Sequence, residues 1–497
     1  MTKLLTLLVL ATLTLGSAQT VRVGLAEDPD ILDPDLGRTY VGRIVFASLC
    51  DKLFDITPQL EIIPQLATGF EVSDDGLTLT IGLREGVLFH DGTPFNAEAA
   101  VFNIERSKTL PGSNRASELS QVDSAEVIDD LTVQLNLSQP FAPLIALFAD
   151  RSGMMVSPAA ANELGEDFGT APVCAGPFAF VERVAQDRIV LEQFADYWNA
   201  DAIALDGVTF LPIPDTSVRL ANLQSGDLEM IERAAPTDLG IIRDDPSLAL
   251  PSSASLGYQG ITINVNNPEG RESPLSDARV REAFDLSLDR AVINNVVFDN
   301  AFIVGNQPVP PSSPWYVEEY PLAERDVEQA QALLAEAGFD RVAFELMVAN
   351  NPQAVRVGEV VQALAAEAGF DISIRATEFA TALSLQEEGE YDAFQVGWSG
   401  RIDPDGNIHA FQTCEGNLNE HGVCSETVSD LLNQARAEAD PDARAELYTQ
   451  AALEYLPSRH IVYLYHTQLF FPHVNTLENF AAYPDGIIRW QGVTLAE

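Results

Sequence analysis

Two consecutive stretches of this chain repeat one helix-stop-strand grammar, and few folds accommodate it. Asp326 is placed to cap a helix, with Gln329 to complete a capping box. Val327, Ala330, Leu334 and Ala337 then share a face, Gly338 stops the helix, and Phe344, Leu346 and Val348 alternate as strand. The second unit follows at once: Val357, Val360, Leu364 and Ala368 line a helix, Gly369 ends it, and Ile372 and Ile374 resume as strand. Both carry Ala-Glu-Ala-Gly-Phe-Asp, at 335–340 and 366–371. Recurrent helix-stop chemistry explains the echo more simply than duplication. Either way the pattern demands helices layered on a sheet, an α/β class.

Upstream the texture changes. Leu77, Leu79, Ile81 and Leu83 alternate with Thr78, Thr80 and Gly82 as a half-buried strand, and Leu131, Val133, Leu135 and Leu137 repeat the pattern. A short helix is expected from Asn96 to Ser107. A longer one is expected from about Asp277 to Phe298, with Val280, Phe284, Leu288 and Val292 inward and Arg279, Arg281 and Arg290 as surface ion-pair partners. With 497 residues the chain can build two or three cores. No low-complexity linker divides it, so any crossings between lobes are short and ordered.

Lys3, the apolar run Leu4 to Leu15 and the small residues Gly16-Ser17-Ala18 read as a cleavable export leader at residues 1–18. No Cys follows, so a lipid anchor is not expected, and the protein is assigned to the periplasm in soluble form. The balance of 28 basic against 74 acidic residues, net −46, would repel nucleic acid and anionic membrane, and neither is expected as a partner. So dense a carboxylate surface, with Lys3, Lys52 and Lys108 the only lysines, suits salty or acidic surroundings. Stability measured in rising salt should increase; a flat response counts against that reading. For Cys414 and Cys424 a local disulfide is the first reading, with a metal site including His421 as the rival, disfavoured by its ligand spacing. Cys50 and Cys174 are then left to pair over a long distance.

Enzyme motifs fail on inspection. Gly397-Trp398-Ser399-Gly400-Arg401 approaches a nucleophile elbow but ends in Arg where a small residue is needed. Asp403-Pro404-Asp405-Gly406-Asn407 opens like a calcium loop, yet Ile408 and Cys414 stand where Gly and Glu are required, and a tight turn is expected instead. The six histidines are scattered and read as structural.

Several ordered blocks carry a resemblance. Leu32-Asp33-Pro34, the stretch Val72 to Arg106 containing Leu-Arg-Glu-Gly-Val-Leu-Phe-His-Asp-Gly-Thr-Pro-Phe, Gly176-Pro177-Phe178, Leu223-Gln224-Ser225-Gly226-Asp227-Leu228, Val280-Arg281-Glu282-Ala283-Phe284 and Gly397-Trp398 are similar to the extracellular solute-binding proteins for dipeptides, oligopeptides and nickel complexes, family 5. The resemblance implies a two-lobed, type II periplasmic-binding-protein-like α/β fold with an extra subdomain. It places lobe I at about 19–51, 168–262 and 476–497, the subdomain at 52–167 and lobe II at 263–475. It also implies a small-molecule ligand in the interlobe cleft, an ABC permease as partner, a monomer, no cofactor and no catalysis. A metal-chelate receptor of the same fold is the alternative, and a secreted hydrolase the different-class one. The family picture supports Cys414–Cys424 as a disulfide; the Cys50–Cys174 pair is an extrapolation.

Where peptide-binding relatives carry an Asp for the ligand's ammonium, this chain has Arg401, and the resemblance puts Arg38, Thr39 and Tyr40 on the pocket loop of lobe I. The expected ligand-binding set is therefore Arg38, Thr39, Tyr40, Trp398, Ser399, Gly400, Arg401 and Asp403. Two guanidinium forks favour an anionic group, as on a carboxylate-bearing peptide, a modified amino acid or an opine-like conjugate. The alternative is that both arginines merely pair with Asp403 or Asp405.

Overall fold

The computed structural model describes residues 19–265 and 273–496; the leader read at 1–18 lies outside the described residues. Among the described residues no helix is long and apolar enough to cross a membrane.

Two large sheets form the two halves. The first has seven strands in the order Leu248–Ala249, His473–Val474, Met230–Ile231, Thr20–Leu25, Gly207–Pro212, Arg188–Gln193 and Phe178–Val184. Thr20–Leu25 runs parallel to both neighbours and is buried through Val21, Val23 and Leu25. The second has six strands in the order Ile303–Val304, Ile461–His466, Tyr258–Ile263, Ala393–Trp398, Val342–Ala349 and Phe370–Thr377. The strands Val342–Ala349, Phe370–Thr377 and Ala393–Trp398 are parallel, so their carboxyl ends gather on one edge.

The expected helix-stop-strand units are present. Val327–Glu336 is capped by the Asp326 side chain, and Pro352–Ala368 is ended by Gly369 at φ 106°. The second helix buries Val357, Val361, Ala365 and Ala368, while Val360 and Leu364 stand half-buried at the rim. The single helix expected at Asp277 to Phe298 is two, Ala278–Ser287 and Arg290–Phe298, because Asp289 caps a new start. Val292 is exposed there, and Arg281 and Arg290 are not surface residues. Arg281 donates to the carbonyls of Leu275, Ser276 and Ser458, and Arg290 to Tyr463 O, which ties the helix pair to the sheet. Arg279 remains exposed, paired with Asp277.

A four-stranded antiparallel sheet, Ala67–Val72, Thr78–Leu83, Thr132–Leu137 and Val122–Asp129, carries the helix Ala97–Thr109 and forms the inserted subdomain. Its core runs from Leu53 to Met155 and takes in Ala175. The helix Pro158–Leu164, expected within it, instead packs Ala160 and Ala161 into the core of the first lobe. A disulfide pins together the two first-lobe segments that flank the insertion, and an ion pair fastens subdomain to lobe. Cys50 and Cys174 are bonded, with Cα atoms 4.8 Å apart. Next to them Arg489 reaches Asp55 at 2.6 Å and Asp485 at 2.9 Å, and Lys52 reaches Asp55 at 2.6 Å, all nearly excluded from solvent. Cys414–Cys424 closes a loop in the second lobe.

The chain crosses between lobes at Ser252–Ala254 and returns at Gln468–Phe470, and these two segments pair antiparallel as a sheet of their own. Both crossings lie upstream of the expected 262/263 and 475/476. Tyr258–Ile263 is a central strand of the second lobe, and His473–Val474 belongs to the sheet of the first. Short strands that leave one sheet and enter another carry no compositional mark, which is why the crossings were displaced.

Candidate functional site

A cavity of about 460 Å³ opens between the lobes at the hinge. The first lobe contributes Tyr40 and Arg233; the second contributes Gln259, Trp398 and Ser399; Ser255 and Thr467 adjoin the crossing strands. The carboxyl ends of the parallel strands face it, as open α/β sheets generally arrange their ligand crevices.

Each wall presents an aromatic ring with an arginine stacked on it, Arg233 within the cavity and Arg401 behind Trp398, outside its lining. Arg233 lies over Tyr40 at 4.9 Å, and Arg401 over Trp398 at 4.5 Å. Tyr40 opens the helix Tyr40–Leu49, and its hydroxyl donates to Asp485 O at 3.4 Å, passing close over Gly486. Arg233 sits in a turn at φ 51° after the strand Met230–Ile231. Its Nε donates to the fully buried Glu232, and its side chain stays 39% exposed toward the cleft. Burial works against its charge, but Glu232, Tyr40 and Glu27 together hold it above the usual guanidinium value. Nη2 donates no hydrogen bond and lies 3.6 Å from Glu27.

On the opposite wall Asn407 organises the loop after Ala393–Trp398. Its Oδ1 accepts from Trp398 Nε1 at 3.1 Å and from Arg401 N at 2.6 Å, and its Nδ2 donates to Arg401 O at 2.8 Å. Gly400, at φ 84°, packs its backbone against Leu256 and Gly257, where a Cβ would come within 2.4 Å of Leu256 C. Gly397 likewise leaves room for the Gln259 side chain. The Arg401 side chain rests on Gly406 and donates to Ser399 Oγ and Gly400 O.

Of the expected ligand-binding set, the cavity gathers Tyr40, Trp398 and Ser399, with Arg401 stacked immediately beyond Trp398. Arg38 is exposed outside it, and its backbone N–H donates to Asp30. The Thr39 hydroxyl is spent capping the helix and donating to Asp30. Asp403 is held by Arg444 through two bonds at 2.6 and 2.7 Å, and Asp405 by Arg436 at 2.8 and 2.9 Å, so neither neutralises Arg401. The segment Asp403 to Asn407, expected as a tight turn, runs into the helix Asp405–Gln412. Arg233 and Gln259 have no sequence pattern to announce them; a turn arginine after a two-residue strand gains meaning only when the fold sets it beside Tyr40. Among the described residues no group of three or more His, Cys, Asp or Glu side chains gathers where a metal ion could sit.

Two α/β lobes joined by paired crossing strands, with a polar and aromatic cleft at the hinge, define a hinged small-molecule binding protein. The chain belongs to the bacterial extracellular solute-binding proteins, family 5, whose middle region matches residues 61–419. It is 31% identical over 309 residues to the glutathione-binding protein GsiB of Pectobacterium atrosepticum, a match covering 62% of this chain and 59% of that protein. It is 28% identical over 451 residues to the protein of the same name from Escherichia coli K12, covering 88% and 86%. Its fold superimposes on HbpA2 from Haemophilus parasuis with a TM-score of 0.83, 26% identity, and coverage of 96% and 100%.

Proposed function

We propose that this protein is the periplasmic receptor of an ABC importer. In this reading it captures a short peptide or peptide-like solute bearing carboxylates and presents it to a membrane permease. The observation that carries the proposal is the pair of arginine-aromatic stacks, one on each lobe, flanking a single cleft in a chain of net charge −46. Against so negative a surface, a cationic pair at the cleft selects for anionic groups on the ligand. Arginine's planar fork suits carboxylates, and the aromatic beneath it adds contact area at low entropic cost. Relatives named for glutathione, itself a peptide with two carboxylates, support the class. A carboxylate-bearing modified amino acid or an opine-like conjugate offers the same groups. The receptor acts as a monomer and performs no catalysis.

Isothermal titration with reduced glutathione, followed by a panel of acidic and neutral dipeptides, tests this. Micromolar affinity needs only about −8 kcal/mol, within reach of two charge-assisted pairs and one stacked ring. Arg233→Gln and Trp398→Ala should each weaken the best acidic ligand at least tenfold. A panel in which neutral or cationic peptides bind best, with Arg233→Gln indistinguishable from the parent, would falsify the acidic-ligand reading.

A further inference from the structure

On the inserted subdomain one apolar sheet face runs out from beside its helix and ends in solvent. Two rows of side chains cross the four-stranded sheet, Val72, Leu79 and Leu135 in one and Phe70, Ile81 and Val133 in the other. The helix Ala97–Thr109 packs on the strands Val122–Asp129 and Thr132–Leu137, and Leu79, Ile81, Val133 and Leu135 are buried. At the strand Ala67–Val72 the cover stops. Phe70 is 46% exposed, keeping one edge on the buried Phe54 with ring centroids 5.7 Å apart, and Val72 is 51% exposed. Ala67–Val72 is also the last strand of its sheet, and among the described residues no strand pairs with its outer side. An unpaired edge is a template for another strand, and an uncovered apolar face beside it marks an interaction surface.

Phe70 and Val72 line a groove of about 350 Å³ that also takes in Phe141 of the subdomain and Ala437 and Ala439 of the second lobe. Past Ile62, Ala142 and Ile145 it runs on into a second groove of about 360 Å³, which reaches Trp315 and Ile402. The lining is apolar, but its border is acidic. Glu61, Glu71, Asp75, Glu438 and Asp440 each stand next in sequence to a lining residue; Glu438 is half-buried and the other four are exposed. The cations at hand are already matched: Arg444, on the wall of the second groove, by Asp403, and Arg436, over the Phe141 ring at 5.3 Å, by Asp405. A second copy of this chain is a poor occupant, because two bodies of net charge −46 repel. Complementary charge calls for a basic partner, and the strand edge calls for an extended one.

We propose that this surface receives an extended segment of another polypeptide in which apolar residues alternate with lysine or arginine. The apolar side chains enter the groove beside Phe70 and Val72, and the basic ones meet the carboxylates on its border. The alternation follows from the strand geometry, since successive side chains of an extended segment point to opposite faces. The assignment goes beyond the solute cleft and does not depend on what the cleft binds.

Fluorescence anisotropy of labelled, end-blocked peptides titrated with the intact protein decides it. The probe is Leu-Lys-Phe-Lys-Leu-Lys; the controls are Leu-Glu-Phe-Glu-Leu-Glu, Leu-Ser-Phe-Ser-Leu-Ser and Ser-Lys-Ser-Lys-Ser-Lys. The probe should bind at least tenfold more tightly than each control and weaken as sodium chloride is raised. Val72→Lys and Ala439→Lys, one from the subdomain and one from the second lobe, change side chains that are exposed in the parent and should each weaken the probe at least tenfold. Val184→Lys adds the same charge at an exposed position of the first-lobe strand Phe178–Val184 and should leave binding as in the parent. A serine or glutamate peptide that binds as tightly as the probe, or Val72→Lys and Ala439→Lys both at the parent's affinity, overturns the proposal. Loss of the probe through Arg233→Gln while those two variants match the parent puts the peptide in the solute cleft and overturns it equally. Sedimentation showing a dimer that Val72→Lys dissolves gives the surface to a second copy instead. In each of these failures the acidic-solute reading of the cleft still stands on its own titrations.

Discussion

Replacing Cys50 and Cys174 together by serine should cost about 4–5 kcal/mol, the largest loss expected from any local change in this protein. The bond closes a loop with a sequence separation of 124, and cross-linking a loop of that order restricts the unfolded chain by about 5 kcal/mol. Its surroundings give the native state little means of compensating. Cys50 ends the helix Tyr40–Leu49, and Cys174 O accepts from His90 N at 2.9 Å. Gly176 N donates to Leu49 O at 2.8 Å, in an approach so tight that a Cβ at Gly176 would lie 2.4 Å from that oxygen. The melting temperature should drop by about 10 °C on the scaling for large domains. The same change at Cys414 and Cys424, with a separation of only 10, should cost about half as much. Calorimetry of the two double variants under non-reducing conditions makes the comparison; equal losses would contradict it.

The second large effect is acid instability. His421 and His460 lie with ring centroids 3.9 Å apart inside the second lobe, His466 is buried at the end of the strand Ile461–His466 in the same lobe, and His90 is half-buried in the first half of the molecule. Burial pushes His90, His421 and His466 each down to about 4 and His460 well below its ordinary value, where the charge of His421 adds to the effect. Each imidazole is neutral in the folded protein and protonated in the unfolded chain below about pH 6.5. Their stabilisation is therefore complete above 6.5 and is lost as pH falls from 6.5 toward 4, at up to about 1.4 kcal/mol per pH unit for each histidine. Two carboxyls act the other way. Burial raises Asp51 to about 7, against hydrogen bonds from Trp198 and Tyr197, and raises Glu420 to about 7, so both favour the folded state as pH falls from 7 toward the unfolded values. Four groups against two leave a net loss of about 3 kcal/mol per unit between pH 6 and 5. Denaturant midpoints at pH 7, 6 and 5 measure it directly. His90→Gln, which removes one titrating group, should flatten the slope by about 1.4 kcal/mol per unit. Of the two surroundings that a carboxylate-rich surface suits, salt agrees with these imidazoles and acid does not.

Much of this architecture is legible in the sequence because it rests on short-range physics. Asp326 and Gly369 mark helix ends by capping and by left-handed geometry, and Leu79, Ile81, Val133 and Leu135 mark strands by alternation alone. Failures fall where one local signal hides another. Asp289 restarts a helix inside a continuous apolar row, and Arg281 and Arg290 look like surface cations until neighbouring carbonyls claim their forks. In the cleft, the residue expected to stand in for a carboxylate, Arg401, stacks on Trp398. Arg38 lost its place because the loop turns its backbone toward Asp30. Arg233 was beyond reach, since its partner Tyr40 is remote in sequence and no periodicity links them.

The bond between Cys50 and Cys174, with Arg489 spanning Asp55 and Asp485, has a mechanical consequence. The disulfide pins the foot of the insertion and the ion pair ties Asp55 of the subdomain to the first lobe, while the two lobes are joined by one ribbon of paired strands at Ser252–Ala254 and Gln468–Phe470. Any change in the angle between the lobes has to be absorbed by backbone torsions in that one ribbon.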